Sequence, residues 1–263
     1  MKRDPYPQRI VCLTEESTEM LYILGEEKRI VGISGFTVRP ARARKEKPKV
    51  SAYTSANIQK IVDLRPDLVI GFSDIQADIA KNLIAVGIEV WVTNHRSIQG
   101  ILDFLVRLGA MVGKAEQAIQ WTKAIDVKME VMQQKNEGRN RPRVFFEEWY
   151  DPIFSCIGWV DELIAVAGGQ NIFPELATQS LGKDRIIADP YEVVRRQPDI
   201  ILASWCGKKV VPQKIMNRPG WQDTPAVRFG HVYEVDASII LQPGPAALTE
   251  GLDILHGLIQ KVM

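Results

Sequence analysis

The sequence has few cysteines and no long hydrophobic run. Its three cysteines, Cys12, Cys156 and Cys206, are widely spaced and odd in number, a pattern that fits neither a disulfide framework nor a zinc knuckle. We therefore expect reduced thiols. No stretch approaches the roughly 18 consecutive apolar residues of a transmembrane helix, which excludes insertion into a membrane.

An excess of charge of either sign is also missing. Lys and Arg total 33 against 32 Asp and Glu, for a formal net charge of +1. This balance creates no overall field toward nucleic acid or an anionic membrane, so neither is expected as a partner. The one basic segment, residues 39–49, lacks interleaved aromatic side chains. It is predicted to be a solvated loop, with a surface for an anionic ligand or partner as the alternative.

Short motifs that would mark a nucleotide-binding enzyme, a serine hydrolase or an exported protein are absent as well. There is no GxGxxG, GxxxxGK[ST] or GxSxG pattern. The basic residues near the start are not followed by the roughly 7–15 apolar residues of a secretory signal. The expectation is a cytoplasmic protein if Met1 is the natural start, and a periplasmic or lipid-anchored one if a leader has been removed.

The sequence does contain an alternation of short β-branched runs with helical patterns. Such alternation is typical of βα units with parallel sheets, so the predicted fold class is α/β. The predicted strands are residues 9–14, 29–34, 68–71, 88–93, 143–147, 199–204 and 231–236.

Two pieces of the first half recur in the second half in the same order. The segment from Glu19 to Gly25 is echoed from Glu162 to Gly168, and the segment of residues 65–71 is echoed by residues 197–203. The first pair predicts helices closed by glycine, and the second predicts helices stopped by proline before a buried strand. The chain therefore looks like two similar lobes, although such pieces also recur by chance in α/β proteins.

A long helix is predicted between the lobes. Residues 114–137 lack Gly and Pro, and mostly apolar side chains recur along them every three or four positions, as on one face of an α-helix. This face comprises Ala118, Thr122, Ile125, Met129 and Met132. The predicted organisation is an N-terminal α/β lobe over 1–112, a linking backbone helix over 113–138 and a C-terminal α/β lobe over 139–263. Such a connection would allow only a small hinge movement around a ligand.

Motifs in both lobes resemble one known family. They are Arg9-Ile-Val-Cys-Leu-Thr-Glu-Glu-Ser-Thr-Glu-Met-Leu-Tyr-Ile-Leu-Gly25, Arg29-Ile-Val-Gly-Ile-Ser34, Asn57-Ile-Gln-Lys-Ile-Val-Asp-Leu-Arg-Pro-Asp-Leu-Val-Ile-Gly71, Ala167-Gly-Gly-Gln-Asn-Ile-Phe173 and Gln242-Pro-Gly-Pro245. The chain resembles the substrate-binding proteins of ABC importers that have a rigid backbone helix and take cobalamin, haem or ferric siderophores, and it is most similar to the cobalamin-binding members. The resemblance implies a class III periplasmic-binding-protein-like fold, with two Rossmann-like lobes of parallel sheet joined by one long α-helix.

The resemblance also implies a partner. Members of the family dock on an ABC permease through an acidic residue near the start of one helix in each lobe. Here the first match falls at Gln59, which carries no charge, and the second falls near Tyr191, beside Glu192. The Arg that often follows the Gly-Pro of the last motif is Ala246. An ABC permease is the implied partner, and Gln59 is the departure that weakens this implication.

Ligand-binding residues are expected just past the carboxyl ends of the strands, where open α/β lobes bind their ligands. Side chains at these ends would line one cleft if the two lobes face each other. The predicted ligand-binding residues are Glu15, Glu16, Phe36, Arg39, Tyr53, Phe72, His95, Glu148, Trp149, Trp205 and Gln242.

Aromatic residues are prominent in this set. Trp149, Trp205, Phe36 and Tyr53 would form flat walls for a macrocycle or another planar ligand, where apolar burial is worth roughly 25 cal/mol per Å². Replacement of Trp149 or Trp205 by Ala is then expected to weaken ligand binding without unfolding the protein. The tryptophans expected to pack between helices instead are Trp91, Trp121 and Trp221.

Paired glutamates end the first predicted strand of each lobe, as Glu15-Glu16 and Glu147-Glu148. Four carboxylates near one cleft would raise one another's pKa values and favour a cationic ligand or metal. Alternatively, one member of each pair faces solvent or accepts N–H groups at the start of the next helix. Glu15 and Glu148 are predicted to line the cleft.

Non-enzymatic binding of a mid-size ligand is the favoured function. The expected ligand is a corrinoid, a tetrapyrrole or another aromatic or metal-chelate compound, and no cofactor is expected to be required. The protein is interpreted as a leaderless, cytoplasmic variant of a transporter substrate-binding protein. His95 and Glu148 are the candidate metal ligands. The alternative is a metal-dependent or acid–base enzyme that reuses the fold, with Glu15, Glu148 and His95 at its site.

Overall fold

The β-branched runs of the first half form a fully parallel sheet in the computed structural model, which describes residues 4–263. Its strands are β1 (Ile10–Cys12), β2 (Ile30–Ser34), β3 (Lys49–Ser51), β4 (Leu68–Phe72) and β5 (Val90–Thr93). They lie in the order β3-β2-β1-β4-β5. Every residue of β1 and β4 is buried, which explains why these strands read as continuous apolar runs rather than as alternating ones.

Helices connect these strands because two parallel neighbours cannot be joined by a tight turn. The helices of this part of the chain are α1 (Glu15–Ile23), α2 (Ala43–Glu46), α3 (Ile58–Asp63), α4 (Ala77–Ala85), α5 (Ile98–Met111) and α6 (Ala115–Asn136). Side chains of the sheet pack against α3 and α4 in a core that includes Val11, Val69, Ile61 and Leu83. This core holds the carboxyl ends of β1 and β4 in place.

A second sheet follows in the second half. Its strands are β6 (Arg143–Tyr150), β7 (Ile153–Ser155), β8 (Gln170–Asn171), β9 (Ile200–Ala203) and β10 (Val232–Glu234). The helices are α7 (Gly158–Val166), α8 (Pro174–Ala177), α9 (Tyr191–Arg195), α10 (Pro212–Met216), α11 (Pro225–Arg228), α12 (Ala237–Ile240) and α13 (Leu252–Ile259). The order is β10-β9-β6-β7, and β8 pairs with the start of β6.

This second sheet is mixed, which corrects the expectation of two parallel sheets. Strand β6 continues past the predicted end at residue 147 to Tyr150, and the chain then turns at Asp151 and Pro152 into β7. The pairing of β6 with β7 is antiparallel. A two-residue connection reverses the chain, so the strand that it adds can only be antiparallel. The α/β fold class itself is confirmed.

The chain divides into two compact units. Unit 1 comprises the described residues up to His95 together with Gln99–Ala124, and unit 2 comprises Arg96–Ile98 together with Ile125–Met263. The predicted long helix is confirmed as α6, and its predicted face is buried throughout. The boundary between the units falls inside α6, whereas the predicted ranges treat this helix as a separate linker. Those three ranges stay a prediction.

The repeated sequence pieces have the same local structure in the two units. Asp67 accepts hydrogen bonds from the backbone N–H groups of Gln8 and Arg9 at 2.7 and 2.9 Å, just before β1. Asp199 accepts one from the backbone N–H of Arg143 at 2.8 Å, at the start of β6. In each unit, the aspartate that follows the proline therefore ties its own strand to the central strand of the sheet.

All seven predicted strands are present, and the three that sequence patterns missed are short. Strands β3, β7 and β8 have three, three and two residues. A run of this length carries no periodicity that could be recognised. Within residues 4–263, none of the helices combines the length and the apolar character needed to cross a bilayer.

Candidate ligand-binding surfaces

The carboxyl ends of the strands define one candidate surface in each unit. In unit 1 the order β3-β2-β1-β4-β5 places the change of winding direction between β1 and β4, and open α/β sheets bind ligands outside the strand ends at such a point. The residues that follow these two strands begin at Leu13 and Ser73. In unit 2 the corresponding ends are those of β6, β9 and β10.

The glutamates of unit 1 belong to a helix start rather than to a strand end. Glu15 and Glu16 are the first two residues of α1, and both are buried. The Thr14 hydroxyl donates a hydrogen bond to Glu16 Oε1. Burial raises the pKa of Glu16 to about 8 and also raises that of Glu15, because the protein interior disfavours the charged form. Within residues 4–263, Glu15 Oε2 has no hydrogen-bond partner.

Two further predicted site residues of unit 1 lie in a buried aromatic cluster. The His95 ring is 5.0 Å from the Phe72 ring and stacks on Phe104 at 4.7 Å, between centroids. Trp91 also stacks on Phe104, with 5.5 Å between the ring centroids. Both His95 and Phe72 are buried. The stacking fixes the His95 ring at the end of β5 and leaves it little contact with solvent.

Three predicted residues of unit 1 are more accessible. The Phe36 side chain is 53% exposed. Arg39 donates from Nε to Glu19 Oε1 at 3.1 Å, so that its charge is paired. Tyr53 is half-buried, and its carbonyl accepts a hydrogen bond from Gln76 Nε2 at 3.0 Å.

Gln76 organises the strand ends of unit 1, although no sequence motif singles it out. Its amide donates to Leu13 O and to Tyr53 O, and its Oε1 accepts from the N–H of Phe72 at 3.0 Å. The neighbouring Ser73 has a φ of 60°, a backbone conformation that is unfavourable for residues other than glycine. The buried Gln76 side chain thus ties β1, β4 and the loop before α3 together.

An aromatic row lies at the strand ends of unit 2. The ring centroids of Trp149 and Tyr150 are 5.5 Å apart, and those of Tyr150 and Trp205 are 4.7 Å apart. Trp149 and Tyr150 are half-buried, whereas Trp205 is 2% exposed and belongs to the core of unit 2. The Trp149 indole donates to Asp151 O at 2.9 Å, which fixes that ring. We refer to Trp149, Tyr150 and Trp205 as the aromatic row.

The two glutamates of β6 are each held by an arginine. Arg218 donates from Nη1 to Glu147 Oε2 and from Nη2 to Oε1. Arg185 makes the same two-point contact with Glu148, at 2.5 and 2.9 Å. Two-point contacts of this kind satisfy the four carboxylate oxygens in pairs. The carboxylates predicted to attract a cation are therefore already neutralised within unit 2.

Lysine side chains cover part of the aromatic row. Lys208 Nζ lies 4.9 Å from the centroid of the Trp149 ring and 5.4 Å from that of Tyr150. Lys214 Nζ lies 5.3 Å from the Tyr150 centroid. All three distances suit attraction between a cation and the negative face of an aromatic ring.

The remaining candidates lie elsewhere in unit 2 or are buried. Gln242 is half-buried in the segment after α12, where its carbonyl accepts from the N–H of Gly244 at 2.8 Å. Cys206 is exposed, and Cys12 and Cys156 are buried. No group of three or more His, Cys, Asp and Glu side chains within residues 4–263 is arranged to hold a metal ion.

Several side chains that shape these surfaces escaped the sequence analysis. Arg185 and Arg218 are 37 and 71 positions away from the glutamates that they hold, and neither lies in a recognisable motif. Lys208 and Lys214 follow β9 and resemble ordinary surface lysines. Among them only Tyr150 had a signal, since it is next to Trp149 and lies three positions past the predicted strand end at residue 147.

The folds of the two units and their strand-end surfaces define an α/β binding protein. The sequence matches the family described as periplasmic binding protein over residues 10–239, and the chain belongs to this family. This confirms the resemblance recognised in the sequence motifs. The family comprises substrate-binding proteins, which are not enzymes.

Individual relatives extend over almost the whole chain. A vitamin B12-binding protein of Vibrio vulnificus is 24% identical over 92% of this chain and 86% of its own length. An uncharacterized ABC transporter substrate-binding lipoprotein of Bacillus subtilis, YvrC, is 27% identical over 95% of this chain and 79% of its own. Among solved structures, a periplasmic heme-binding protein from Pseudomonas aeruginosa superimposes with a TM-score of 0.80 and 20% identity, covering 98% of this chain and 94% of the other.

Proposed function

We propose that this chain binds a mid-size solute with a flat, conjugated ring system, of the corrinoid or tetrapyrrole class. The observation that carries the proposal is the aromatic row at the strand ends of unit 2. Flat ring faces are the surface that such a ligand fits, because stacking buries a large apolar area without a large loss of side-chain freedom. Relatives that are named for binding vitamin B12 and heme support the same two ligand classes.

The three members of the row contribute in different ways. Trp149 and Tyr150 present accessible ring area and are the proposed contacts with the ligand. Trp205 is buried under Tyr150 and donates its indole N–H to Glu147 Oε1 at 3.0 Å, so we propose that it positions Tyr150 and does not itself form a wall. In unit 1 the exposed Phe36 and the half-buried Tyr53 are the proposed aromatic contacts.

An ABC permease is the proposed partner. The likeness to YvrC, an uncharacterized ABC transporter substrate-binding lipoprotein, supports this role. On α9, Glu192 keeps an acidic charge at the surface, although it is paired with Arg195 at 2.5 Å. On α3, Gln59 is uncharged and donates to Asp63 Oδ1 at 2.8 Å. Glu192→Gln should therefore reduce the stimulation of a cognate permease and ATPase in proteoliposomes more than Gln59→Ala does.

The ligand proposal is tested by titrating the purified protein with cyanocobalamin and with hemin while tryptophan fluorescence and heat of binding are followed. Stoichiometric binding of either compound is expected. Trp149→Ala should weaken this binding about tenfold or more, since it removes one of the flat contacts. Phe229→Ala is the matched control, because Phe229 is an aromatic residue of unit 2 that is 68% exposed and lies outside the row. Binding of neither compound would overturn the proposal.

A further inference from the structure

The aromatic row of unit 2 has two positive charges above it. Lys208 and Lys214 are exposed, and their ammonium groups lie over the faces of Trp149 and Tyr150. Within residues 4–263, neither ammonium has a carboxylate oxygen within 4.0 Å. The aromatic row is therefore a flat apolar surface with two ammonium groups over its rings.

The acidic residues nearest in sequence to the row form no ion pair with either lysine within the described part of the chain. Glu147 is neutralised by Arg218, and Glu148 by Arg185. Glu234 on the adjacent strand β10 uses Oε1 to accept the backbone N–H of Val210 at 2.9 Å. Asp151, which directly follows Tyr150, is exposed, and within residues 4–263 it forms no ion pair with either lysine.

The backbone around the lysines holds them at this place. The N–H of Lys208 donates to Trp205 O at 3.1 Å, which ties the loop to the end of β9. The contact between Val210 and Glu234 fixes the other side of that loop. Lys214 lies on α10, which begins at Pro212, the favoured place for proline at the start of a helix. Both lysines thus extend from hydrogen-bonded backbone and have exposed side chains.

We propose that Lys208 and Lys214 form a charge-selective rim that favours flat ligands with carboxylate or other anionic groups at the ring edge. This rests on the proposed function and narrows it, since it favours a carboxylated tetrapyrrole over a corrinoid with neutral amide side chains. Attraction between an exposed ammonium and a ring face is weak, so each lysine can leave the ring to meet an anion on the ligand. An ammonium bound to a carboxylate gains a charge-assisted hydrogen bond in exchange.

Two water-soluble porphyrins of opposite charge separate the effect of charge from that of ring stacking. The probes are the anionic tetrakis(sulfonatophenyl)porphyrin and the cationic tetrakis(N-methylpyridyl)porphyrin, titrated against tryptophan fluorescence at low and high salt. The native protein should bind the anionic compound at least about tenfold more tightly at low salt, and the preference should shrink as salt screens the lysines. Equal affinity for the two porphyrins would overturn the proposal that the lysines form a charge-selective rim.

The variant with both Lys208→Met and Lys214→Met keeps much of the side-chain length and removes the charges. It should lose about tenfold in affinity for the anionic porphyrin, as expected for two exposed ion pairs, and lose none for the cationic one. The control with Lys135→Met and Lys261→Met removes the same net charge elsewhere in unit 2 and should behave like the native protein. Similar losses in both double variants would show an effect of net charge alone and would contradict the rim.

The two proposals fail in different ways. Unchanged affinity for the anionic porphyrin in the Lys208 and Lys214 variant, with a loss in Trp149→Ala, would overturn the rim and leave the aromatic row in place. Binding of no porphyrin, hemin or cyanocobalamin by the native protein would overturn both proposals. Hemin should also bind more tightly than cyanocobalamin, because only hemin carries free carboxylates at its ring edge.

Discussion

Arg218 neutralises Glu147 although the two residues are 71 positions apart in the chain. Glu147 is fully buried on β6, and both its oxygens accept from the Arg218 guanidinium, while Oε1 also accepts from the Trp205 indole. Arg218 in turn lies 4.6 Å from the centroid of the Trp221 ring. This pair joins β6 to the segment after α10. Because Glu147 also accepts from the Trp205 indole, the pair helps to hold this member of the aromatic row in place.

Removal of only one partner of this pair should be strongly destabilising. Arg218→Met leaves the Glu147 carboxylate buried without a counter-charge, and the free energy of unfolding should fall by about 3–5 kcal/mol. The double change of Glu147→Gln with Arg218→Met should cost less than Arg218→Met alone, because no charge remains to be buried. Urea unfolding followed by circular dichroism measures both. Equal stability of the native protein and Arg218→Met would contradict the importance of the pair.

The two tryptophans of the row should respond differently to truncation. Trp205→Ala leaves a cavity in the core of unit 2, and a loss of about 3–5 kcal/mol in unfolding free energy is expected. Trp149 is half-buried, so Trp149→Ala should cost much less stability and should act mainly on ligand affinity. The sequence-based expectation was that either replacement weakens ligand binding without unfolding the protein, and the burial of Trp205 adds a large stability cost for that variant. Comparable urea midpoints for the two variants would show that Trp205 is not a core residue.

Glu16 should make the protein less stable as the pH rises. Its pKa is raised to about 8 by burial in the folded protein, against an ordinary value of 4.5 in the unfolded chain. Between these values the folded state holds a proton that the unfolded state has released. The free energy of unfolding therefore falls with increasing pH across this window, by at most about 1.4 kcal/mol per pH unit from this group.

The variant Glu16→Gln provides the check on this pH effect. It has no proton to lose, so its unfolding free energy should vary less between pH 5 and 8, and its advantage over the native protein should be greatest near pH 8. Urea unfolding at several pH values measures the two slopes. Parallel pH profiles for the native protein and Glu16→Gln would rule out Glu16 as the source.

The three cysteines should differ in reactivity. Burial raises the pKa of the Cys12 thiol to about 11 and also raises that of Cys156, so little thiolate is available at either site. Cys206 is exposed. A thiol reagent at pH 8 should modify one cysteine in the native protein and three in urea, and peptide mass mapping should place the native label on Cys206. Rapid native labelling of Cys12 would contradict the buried start of β1 and α1.

The aspartates of the repeated segments should stabilise both units. Asp67→Ala removes two hydrogen bonds to backbone N–H groups before β1, and Asp199→Ala removes the bond to the N–H of Arg143 together with its ion pair at 3.0 Å. A loss of about 1–3 kcal/mol in unfolding free energy is expected for each. Asp63→Ala is a control, since Asp63 accepts only from the Gln59 side chain among the contacts described. Losses in both test variants no larger than in the control would contradict this role.

Sequence patterns predicted the elements well because their signals are local. The β-branched runs identified β1, β2, β4, β5, β6, β9 and β10, and the buried face of α6 could be read from a repeat of three and four. The motifs around Gly25 and Gly71 identified the family. For the candidate surfaces, the same local signals located Trp149 and both glutamate pairs in the chain, but they did not reveal what these side chains contact.

The contacts depended on pairings between distant parts of the chain. Trp205 follows a strand as an exposed wall residue would, yet the core of unit 2 encloses it. Glu148 was predicted from the sequence as a candidate metal ligand, whereas in the structure both its carboxylate oxygens accept hydrogen bonds from Arg185. The antiparallel strand β7 forms because β6 continues to Tyr150 and the chain then reverses at Asp151 and Pro152. None of these pairings has a period or a spacing that a local pattern could show.

The sequence by itself determined the α/β class, the repeated strand-and-helix pieces, the long helix and the family, because apolar periodicity and helix-ending residues act within a few neighbouring positions. Only the tertiary structure decided which charges are neutralised and which aromatic faces remain accessible. Burial and ion pairing are properties of where two chain segments meet, and Glu147 with Arg218 shows that the partner can be far away in sequence. The two lysines above Trp149 and Tyr150 are significant for the same reason, because folding brings no carboxylate oxygen of residues 4–263 within 4.0 Å of either ammonium.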